Sequence, residues 1–348
     1  MRWLCHSVDI HFDKVGKKEM LDSFSTNFVT NIENEKKTSG IGASLRTEGS
    51  IFMLTVDGCD HGVLVVLVSK LLKNPLVEFA SAKEVHPQSC GTEILVRLTD
   101  GLCRVDLFSV IIGTLSIMSD AIFDQDGWRL EGWDGTQLVD LAEVDGRAGK
   151  AQLVLIDRDV KWANMIRRTI LGGIKVLAIN DVTLRCNTSI LEDEVLASRI
   201  RLLPVRCGNG ETLKSHHLQT CFTLNVMAPR DSARSITVVV SGAMESTCED
   251  VCISFSGAGR GEGFMLSRLA PGQGIDIVAQ VKAGTPMTNA RFACVSTVGF
   301  MKAGHDHILK MRMIGQLRPS VVVNEAIRVV AESVAELRSA LIRLSRHD

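Results

Sequence analysis

A group of cysteine and histidine residues in the middle of the chain offers the ligand types of a zinc site. The group consists of Cys207, His216, His217 and Cys221. A structural zinc site closes four ligands around one point, usually with close-spaced pairs, and these cysteines form no CxxC motif. The two adjacent histidines of an extended segment would also point to opposite faces. We therefore expect no stoichiometric zinc, and a loop held by a strand over 222–226 instead.

A glycine-rich segment further along the chain could cradle a nucleotide. Glycines alternate from Gly257 to Gly263. A dinucleotide-binding loop needs GxGxxG between a strand and a helix, whereas Arg260 and Glu262 stand where that helix would begin. The pattern favours a flexible hairpin, so no cofactor is expected. The alternative function, a stand-alone metal- or nucleotide-dependent enzyme, depends on this loop or on the cysteine and histidine group.

Four carboxylates could hold magnesium or act as an acid and a base: Asp157, Asp159, Asp193 and Glu194. A simpler account places them at the starts of two helices, where carboxylates cap free amides and complement the helix dipole. His61 has no nucleophile at motif spacing, which favours a capping or loop role. We expect no catalytic residue in this chain.

The composition narrows the class of protein further. The 348 residues carry 39 Lys and Arg against 40 Asp and Glu, and this balance argues against a protein that coats nucleic acid. Ten cysteines at irregular positions indicate a reducing compartment. Neither a signal peptide nor an apolar run of about 18 residues is visible. The expectation is a soluble, intracellular protein that has no membrane partner.

Three segments have apolar residues at helical spacing, which predicts three helices with one buried side each. Two of these are narrow seams of the kind that packs against a partner helix. The seam residues are Phe108, Ile111, Leu115, Met118 and Ile122 in the first, and Val323, Ile327, Val330, Val334, Leu337, Leu341 and Leu344 in the last. The helix between them has Ala163, Ile166 and Ile170 on its apolar side. We expect all three helices to share one interface.

Short β segments separate these helices. Residues 61–72 are apolar enough for a buried helix, although their β-branched valines leave a strand open. Strands are predicted over 51–58, 77–81, 92–98, 176–179, 182–184, 222–227, 235–241, 265–269, 275–281 and 308–314. Each half of the chain thus contains a helix, strands, a turn and a long seam helix, which indicates an internal repeat.

Ordered motifs between residues 153 and 204 carry a family resemblance. They are Ala163-Asn164, Arg167-Arg168, Val176-Leu177-Ala178-Ile179, Asn187-Thr188-Ser189, Leu191, Asp193-Glu194, Ala197-Ser198-Arg199 and Leu202-Leu203-Pro204. This series resembles the larger α-like assembly subunit of multi-subunit RNA polymerases, the archaeal D type. The resemblance implies a platform for the catalytic subunits, with the helix after Asp159 at a dimer interface. It further implies that the residues contacting a large catalytic subunit are Asn164, Arg167, Arg168, Asn187, Asp193, Glu194 and Arg199.

Two further groups of motifs extend the resemblance. The first group is Asp60-His61-Gly62, Asn74-Pro75, Val77-Glu78-Phe79-Ala80, His86-Pro87, the strand over 94–98 and Thr99-Asp100-Gly101. It resembles the smaller α-like subunit, the archaeal L type. The second group is Leu269, Pro271-Gly272-Gln273, Ala283-Gly284 and Ala290-Arg291-Phe292. It is similar to the end of the insert subdomain of the larger subunit.

The resemblance implies an α+β fold of two α-like dimerisation units that form an intramolecular pseudo-dimer. The expected parts are an extension over 1–48, an L-type unit over 49–125, a linker with a possible first strand over 126–149, a D-type unit over 150–205 and 297–348, and a β-rich insert over 206–296.

The implied function is that of a non-catalytic subunit. Its partners would be the two largest RNA polymerase subunits and small assembly subunits, and it would meet DNA only through the complex. Fused pairs of this kind resemble those of large DNA viruses, which would place the protein in the virion and in the host cytoplasm or nucleus.

Overall fold

The computed structural model describes residues 41–48, 50–84, 91–99, 101–120, 136–140, 149–155, 159–208, 217, 220–231, 234–239, 244–254 and 264–346. Residues from Ile41 to Asp348 cluster into one compact unit. Within it, helices and antiparallel sheets are mixed, which agrees with the α+β prediction.

The first sheet contains four antiparallel strands. They are β1 (Gly42–Glu48), β2 (Ile51–Asp57), β3 (Val77–Glu84) and β4 (Gly91–Leu98), in the order β1-β2-β4-β3. Helix α1 (His61–Leu71) connects β2 to β3, and α2 (Arg104–Asp120) follows β4. The sheet begins at Gly42, inside the range expected to be an extension, because β1 pairs with β2 along its whole length.

Residues 61–71 form a helix and not the strand that their β-branched valines also allowed. Most of its side chains are buried, including Val63, Val66 and Val68. The Asp60 carboxylate caps its start by accepting a hydrogen bond from the Gly62 backbone amide at 2.8 Å. The predicted helix is confirmed, since the cap and burial on nearly all sides outweigh the lower helix propensity of β-branched residues.

The chain continues through β5 (Thr136–Asp140), β6 (Lys150–Leu155) and α3 (Val160–Gly172) into a β-rich region. The elements of this region are β7 (Val176–Asn187), α4 (Asp193–Arg201), β8 (Val205–Cys207), β9 (Cys221–Met227), β10 (Ile236–Val239), β11 (Glu245–Ser246), β12 (Val251–Ile253), β13 (Met265–Leu269), β14 (Gly274–Gly284) and a short 3-10 turn (Ala290–Phe292). Its main sheet has the order β11-β9-β14-β7, and two smaller sheets pair β10 with β13 and β8 with β12.

This region has a hydrophobic core of its own, which runs in sequence from Leu177 to Val281. The core begins earlier than the insert boundary that was expected at 206, because β7 and α4 already belong to it. Strand β7 is one long strand where two short ones were predicted. The strand continues through the polar residues Asn180 and Asp181, because β7 pairs with β14 on both sides of them, with two register shifts.

After the β-rich region the chain returns to complete the sheet that β5 and β6 began. Strands β15 (Val295–Ala303) and β16 (Asp306–Met313) give this sheet the order β15-β16-β6-β5, and α5 (Pro319–Arg346) ends the fold. Read from β5, the order is first, second, fourth and third strand, as in the first sheet. In both sheets a helix follows the second strand and another follows the fourth, so the two sheets have the same topology.

Candidate assembly interface

The four helices that follow these strands pack against one another across the two sheets. Helix α1 contacts α3, and α2 contacts α5. Residues of both sheets and of all four helices form a single hydrophobic cluster. The contact between equivalent helices therefore joins the first half of the fold to the second.

The predicted seam residues lie in this cluster as far as the structure describes them. The buried ones are Phe108, Ile111, Leu115, Met118, Ala163, Ile166, Ile170, Val323, Ile327, Val330, Val334, Leu337 and Leu341. Leu344 is half-buried and packs against the cluster, and Ile122 lies outside the described residues. Steps of three and four along each helix place these side chains in one line, which is why they share one buried face.

Helices α1 and α3 pack closely at Gly62. A Cβ atom added there would stand 3.2 Å from the Cα atom of Met165 and 2.6 Å from Oδ2 of Asp60. A Cβ atom at that distance from backbone is tighter than an ordinary packed contact, so a side chain at position 62 would require the Asp60 carboxylate and α3 to shift.

An ion pair adjoins this crossing. Nη2 of Arg168 on α3 lies 3.2 Å from Oδ1 of Asp60, while Oδ2 of Asp60 caps α1. The side chains retain 38% and 36% of their exposure, so water screens the pair, and we expect it to contribute about 0.2 to 1 kcal/mol. Arg168 was predicted to contact a large subunit; within the chain it also links the two halves. The residue that sequence reasoning missed is Asp60, although an Asp before an apolar run signals a helix start.

The outward face of α3 contains two more residues of that predicted contact. Asn164 is exposed, Arg167 is half-buried, and Nε of Arg167 donates a hydrogen bond to Oδ1 of Asn164 at 3.0 Å. The helix itself begins at the cap formed by Asp159, whose Oδ1 accepts from the Lys161 amide at 3.1 Å. The predicted cap is confirmed for Asp159, and Asp157 lies outside the described residues.

The second part of the predicted contact lies in the β-rich region, at the end of β7 and the start of α4. Asn187 organises the turn into α4, since its amide nitrogen donates to the Leu191 carbonyl and to Oδ1 of Asp193, both at 2.8 Å. Glu192 is the N-cap residue of α4, without a side-chain cap. Asp193 and Glu194 therefore lie in the first turn, exposed, where they complement the helix dipole and form no cap.

Arg199 has partners within the β-rich region. Its Nη2 donates to the Met265 carbonyl at 2.8 Å, and its guanidinium carbon lies 5.2 Å from the centre of the Phe264 ring. Such a stacked guanidinium joins α4 to β13. The structure thus gives Asn187 and Arg199 contacts inside the β-rich region, and their contact with a large subunit stays a prediction.

The cysteine and histidine group is only partly described. Cys207 and His217 are buried and Cys221 is half-buried, whereas His216 lies outside the described residues. Among the residues that the structure describes, no three His, Cys, Asp or Glu side chains are grouped so that they could hold a metal ion. Strand β9 pairs with β14 and β11.

Sequence spacing did not reveal the neighbours of Cys207. Burial is the largest cause that raises the pKa of its thiol to about 11, and the nearby Cys248, Cys252 and Asp250 contribute to the same rise. The strand pair β8–β12 brings them close, because Cys207 is opposite Val251. A thiol with a raised pKa stays protonated at neutral pH, and the protonated form is the poorer metal ligand.

Two further candidates for chemistry are His61 and the glycine-rich segment. Nδ1 of His61 lies 3.4 Å from Oγ1 of Thr92, at the start of α1. The glycine segment from Gly257 to Gly263 lies outside the described residues. The strands on its two sides do not pair as the predicted hairpin, because β12 pairs with β8 and β13 with β10. In the described part of the chain no helix is long and apolar enough to cross a membrane.

Comparison with known proteins gives a consistent set of relatives. No protein-family model matches the chain. The chain is 25% identical over 207 residues to the DNA-directed RNA polymerases I and III subunit RPAC1 of Homo sapiens, covering 50% of this chain and 57% of that protein. It is 24% identical over 168 residues to the DNA-directed RNA polymerases IV and V subunit 3B of Arabidopsis thaliana, covering 43% and 53%.

An archaeal relative is covered more fully. The DNA-directed RNA polymerase subunit Rpo3 of Methanocaldococcus jannaschii is 23% identical over 184 residues, which span 53% of this chain and 86% of that subunit. The chain spans little more than half the length of the two eukaryotic relatives. All three relatives are subunits of DNA-directed RNA polymerases, and the similarity covers about half of this chain.

Proposed function

We propose that the chain is a non-catalytic assembly subunit of a multi-subunit DNA-directed RNA polymerase, and that it combines two α-like units in one polypeptide. The observation that carries the proposal is the repeated topology of the two sheets, β1-β2-β4-β3 and β5-β6-β16-β15. The packing of α1 on α3 and of α2 on α5 supports a pseudo-twofold arrangement of the two units. The polymerase relatives support the class of complex.

Joining both units in one chain has a thermodynamic consequence. Two separate subunits must find each other, whereas covalently linked units associate at an effective concentration on the order of millimolar. The Gly62 crossing and the shared hydrophobic cluster then supply the specificity of the contact. A polymerase that uses this chain needs no separate α-like partner.

The proposed docking surface for a large catalytic subunit is the outward face of α3 with the start of α4. Asn164 and Arg167 offer polar groups on α3, and Asp193 and Glu194 offer exposed carboxylates on α4. Exposed arginine side chains often contribute most to protein interfaces, because one planar group makes several hydrogen bonds. The other partners would be small assembly subunits.

Affinity purification of the tagged full chain tests this surface. Arg167→Ala should lose the large subunits from the complex at high salt, whereas Arg338→Ala, at an exposed position on α5, should retain them. The variant Arg168→Ala also loses the ion pair with Asp60, so a weaker complex could result from lower stability of the chain. The thermal unfolding of this variant should therefore be measured as well. An intact complex from the Arg167 variant with an altered rate of RNA synthesis would contradict the proposal.

A further inference from the structure

The groove between α1 and α3 has a concentration of positive charge that the docking surface above does not include. Its volume is about 180 Å³. The residues that line it are Val66, Ser69, Lys70 and Lys73 from α1 and the turn after it, and Asp159, Lys161 and Trp162 from the start of α3.

The charges in this groove are unbalanced. Three ammonium groups, those of Lys70, Lys73 and Lys161, face one carboxylate. Within the part of the chain that the structure describes, none of these lysines forms an ion pair. A concave surface with an excess of one charge concentrates ligands of the opposite charge, so the groove favours an anion.

The volume of the groove and its other lining residues indicate which class of anion it binds. The volume is smaller than the roughly 300 to 1,000 Å³ of typical small-molecule pockets, so it suits a few side chains of a polypeptide. A phosphate at the start of α3 would meet the Asp159 carboxylate, which already occupies the Lys161 amide. Trp162 is half-buried, and its accessible part provides an apolar surface for the methylene groups of an acidic side chain or for a neighbouring apolar residue.

We propose that this groove binds an acidic segment of another polypeptide chain, with its carboxylates on Lys70, Lys73 and Lys161 and an apolar side chain against Trp162. The identity of that chain as a polymerase subunit rests on the proposed function. Lys161 lies one helical turn before Asn164, so the groove continues the outward face of α3. The segment therefore extends the contact made by the docking surface.

A direct binding assay with the isolated full chain tests the groove without requiring assembly. The probe is a short fluorescein-labelled peptide that repeats Glu-Glu-Leu, and its anisotropy reports binding. The variant Lys70→Glu/Lys73→Glu/Lys161→Glu should bind at least about tenfold more weakly than the natural chain, because removal of a complementary charge is compounded by repulsion. The matched control Lys83→Glu/Lys302→Glu/Lys310→Glu changes three exposed lysines elsewhere and should bind as the natural chain does.

Two results would overturn the inference. One is equal peptide affinity of the groove variant and the control, with both folded by circular dichroism. The other is a single-stranded DNA oligonucleotide that binds the natural chain more tightly than the peptide and loses affinity in the groove variant alone, since the groove would then be a nucleic-acid site. Co-purification of large polymerase subunits is measured in a separate experiment. A groove that binds no peptide and a chain that is not a polymerase subunit therefore give different results.

Discussion

Gly62 of α1 packs directly against Met165 of α3, since a Cβ at position 62 would lie 3.2 Å from the Met165 Cα. A side chain at position 62 would therefore require one of the two helices to shift by a few tenths of an ångström. This contact belongs to the same small region in which Asp60 caps α1 and pairs with Arg168. The junction between the halves is therefore a set of specific contacts in addition to the hydrophobic cluster.

Gly62→Ala should destabilise the protein. The added methyl group displaces the Asp60 cap and pushes α3 away, and overpacking of this kind costs about 1 to 3 kcal/mol, partly offset by about 1 kcal/mol of helix propensity. Gly113→Ala on α2 is the control, because nothing lies within 4 Å of its added Cβ. That variant should be stabilised slightly. Urea unfolding compares the two, and equal stability changes would contradict the close crossing.

Truncation of a seam residue should show how much the helix packing contributes. Leu115 on α2 is fully buried, whereas Ile117 two positions further is 63% exposed. Leu115→Ala should lower the free energy of unfolding by about 2 to 5 kcal/mol, and Ile117→Ala by less than about 0.5 kcal/mol. Denaturant unfolding of both variants measures the difference. A small effect at Leu115 would mean that the seam does not support the packing of α2 on α5.

The buried thiols should make the protein less stable in alkali. Burial raises the pKa of both Cys59 and Cys294 from 9.0 to about 12. Above pH 9 the unfolded chain releases these protons and the native state retains them, so the free energy of unfolding falls by about 1.4 kcal/mol per pH unit for each thiol. Below pH 9 the two thiols contribute no pH dependence.

Urea unfolding at pH 8 and pH 10 measures this effect. The variant Cys59→Ala/Cys294→Ala should show a smaller fall between the two pH values than the natural chain. The control Cys103→Ala/Cys186→Ala removes two exposed thiols and should show the natural fall. The interpretation would be refuted by identical pH dependence in all three proteins.

The absence of a structural zinc ion remains a prediction. Cys207 is a buried thiol with a raised pKa, and His217 is buried beside a segment that the structure does not describe. Elemental analysis of the purified full chain should find no stoichiometric zinc. One zinc per chain, lost in Cys207→Ser/Cys221→Ser, would show that the prediction is wrong.

The parts of the fold that could be predicted are those with a strong local pattern. The α2 and α5 seams follow from apolar spacing alone, because a helix repeats its faces every three to four residues. Strand β1 was not predicted, since GASLRTE has few apolar residues and is held by pairing with β2. Strand β15 was also not predicted, and exposed residues such as Phe300 and Met301 interrupt its alternation.

The candidate site was predictable to a smaller extent. The Arg167-Arg168 pair was located from its motif, but the two side chains have different surroundings, because successive residues of a helix point about 100° apart. Arg168 meets Asp60, which is 108 positions away in the sequence. The three lysines of the groove likewise come from α1, the turn after it and α3. Contacts of this kind depend on tertiary packing and carry no local signal.

The composition of the complex tests most directly the central proposal that one chain supplies both α-like units. The tagged full chain should be purified at high salt from its own cells, and every co-purifying polypeptide identified by mass spectrometry. We expect two very large polymerase subunits at equal stoichiometry with the chain, and no second α-like polypeptide. Recovery of a separate α-like subunit, or of the chain without any large subunit, would contradict it.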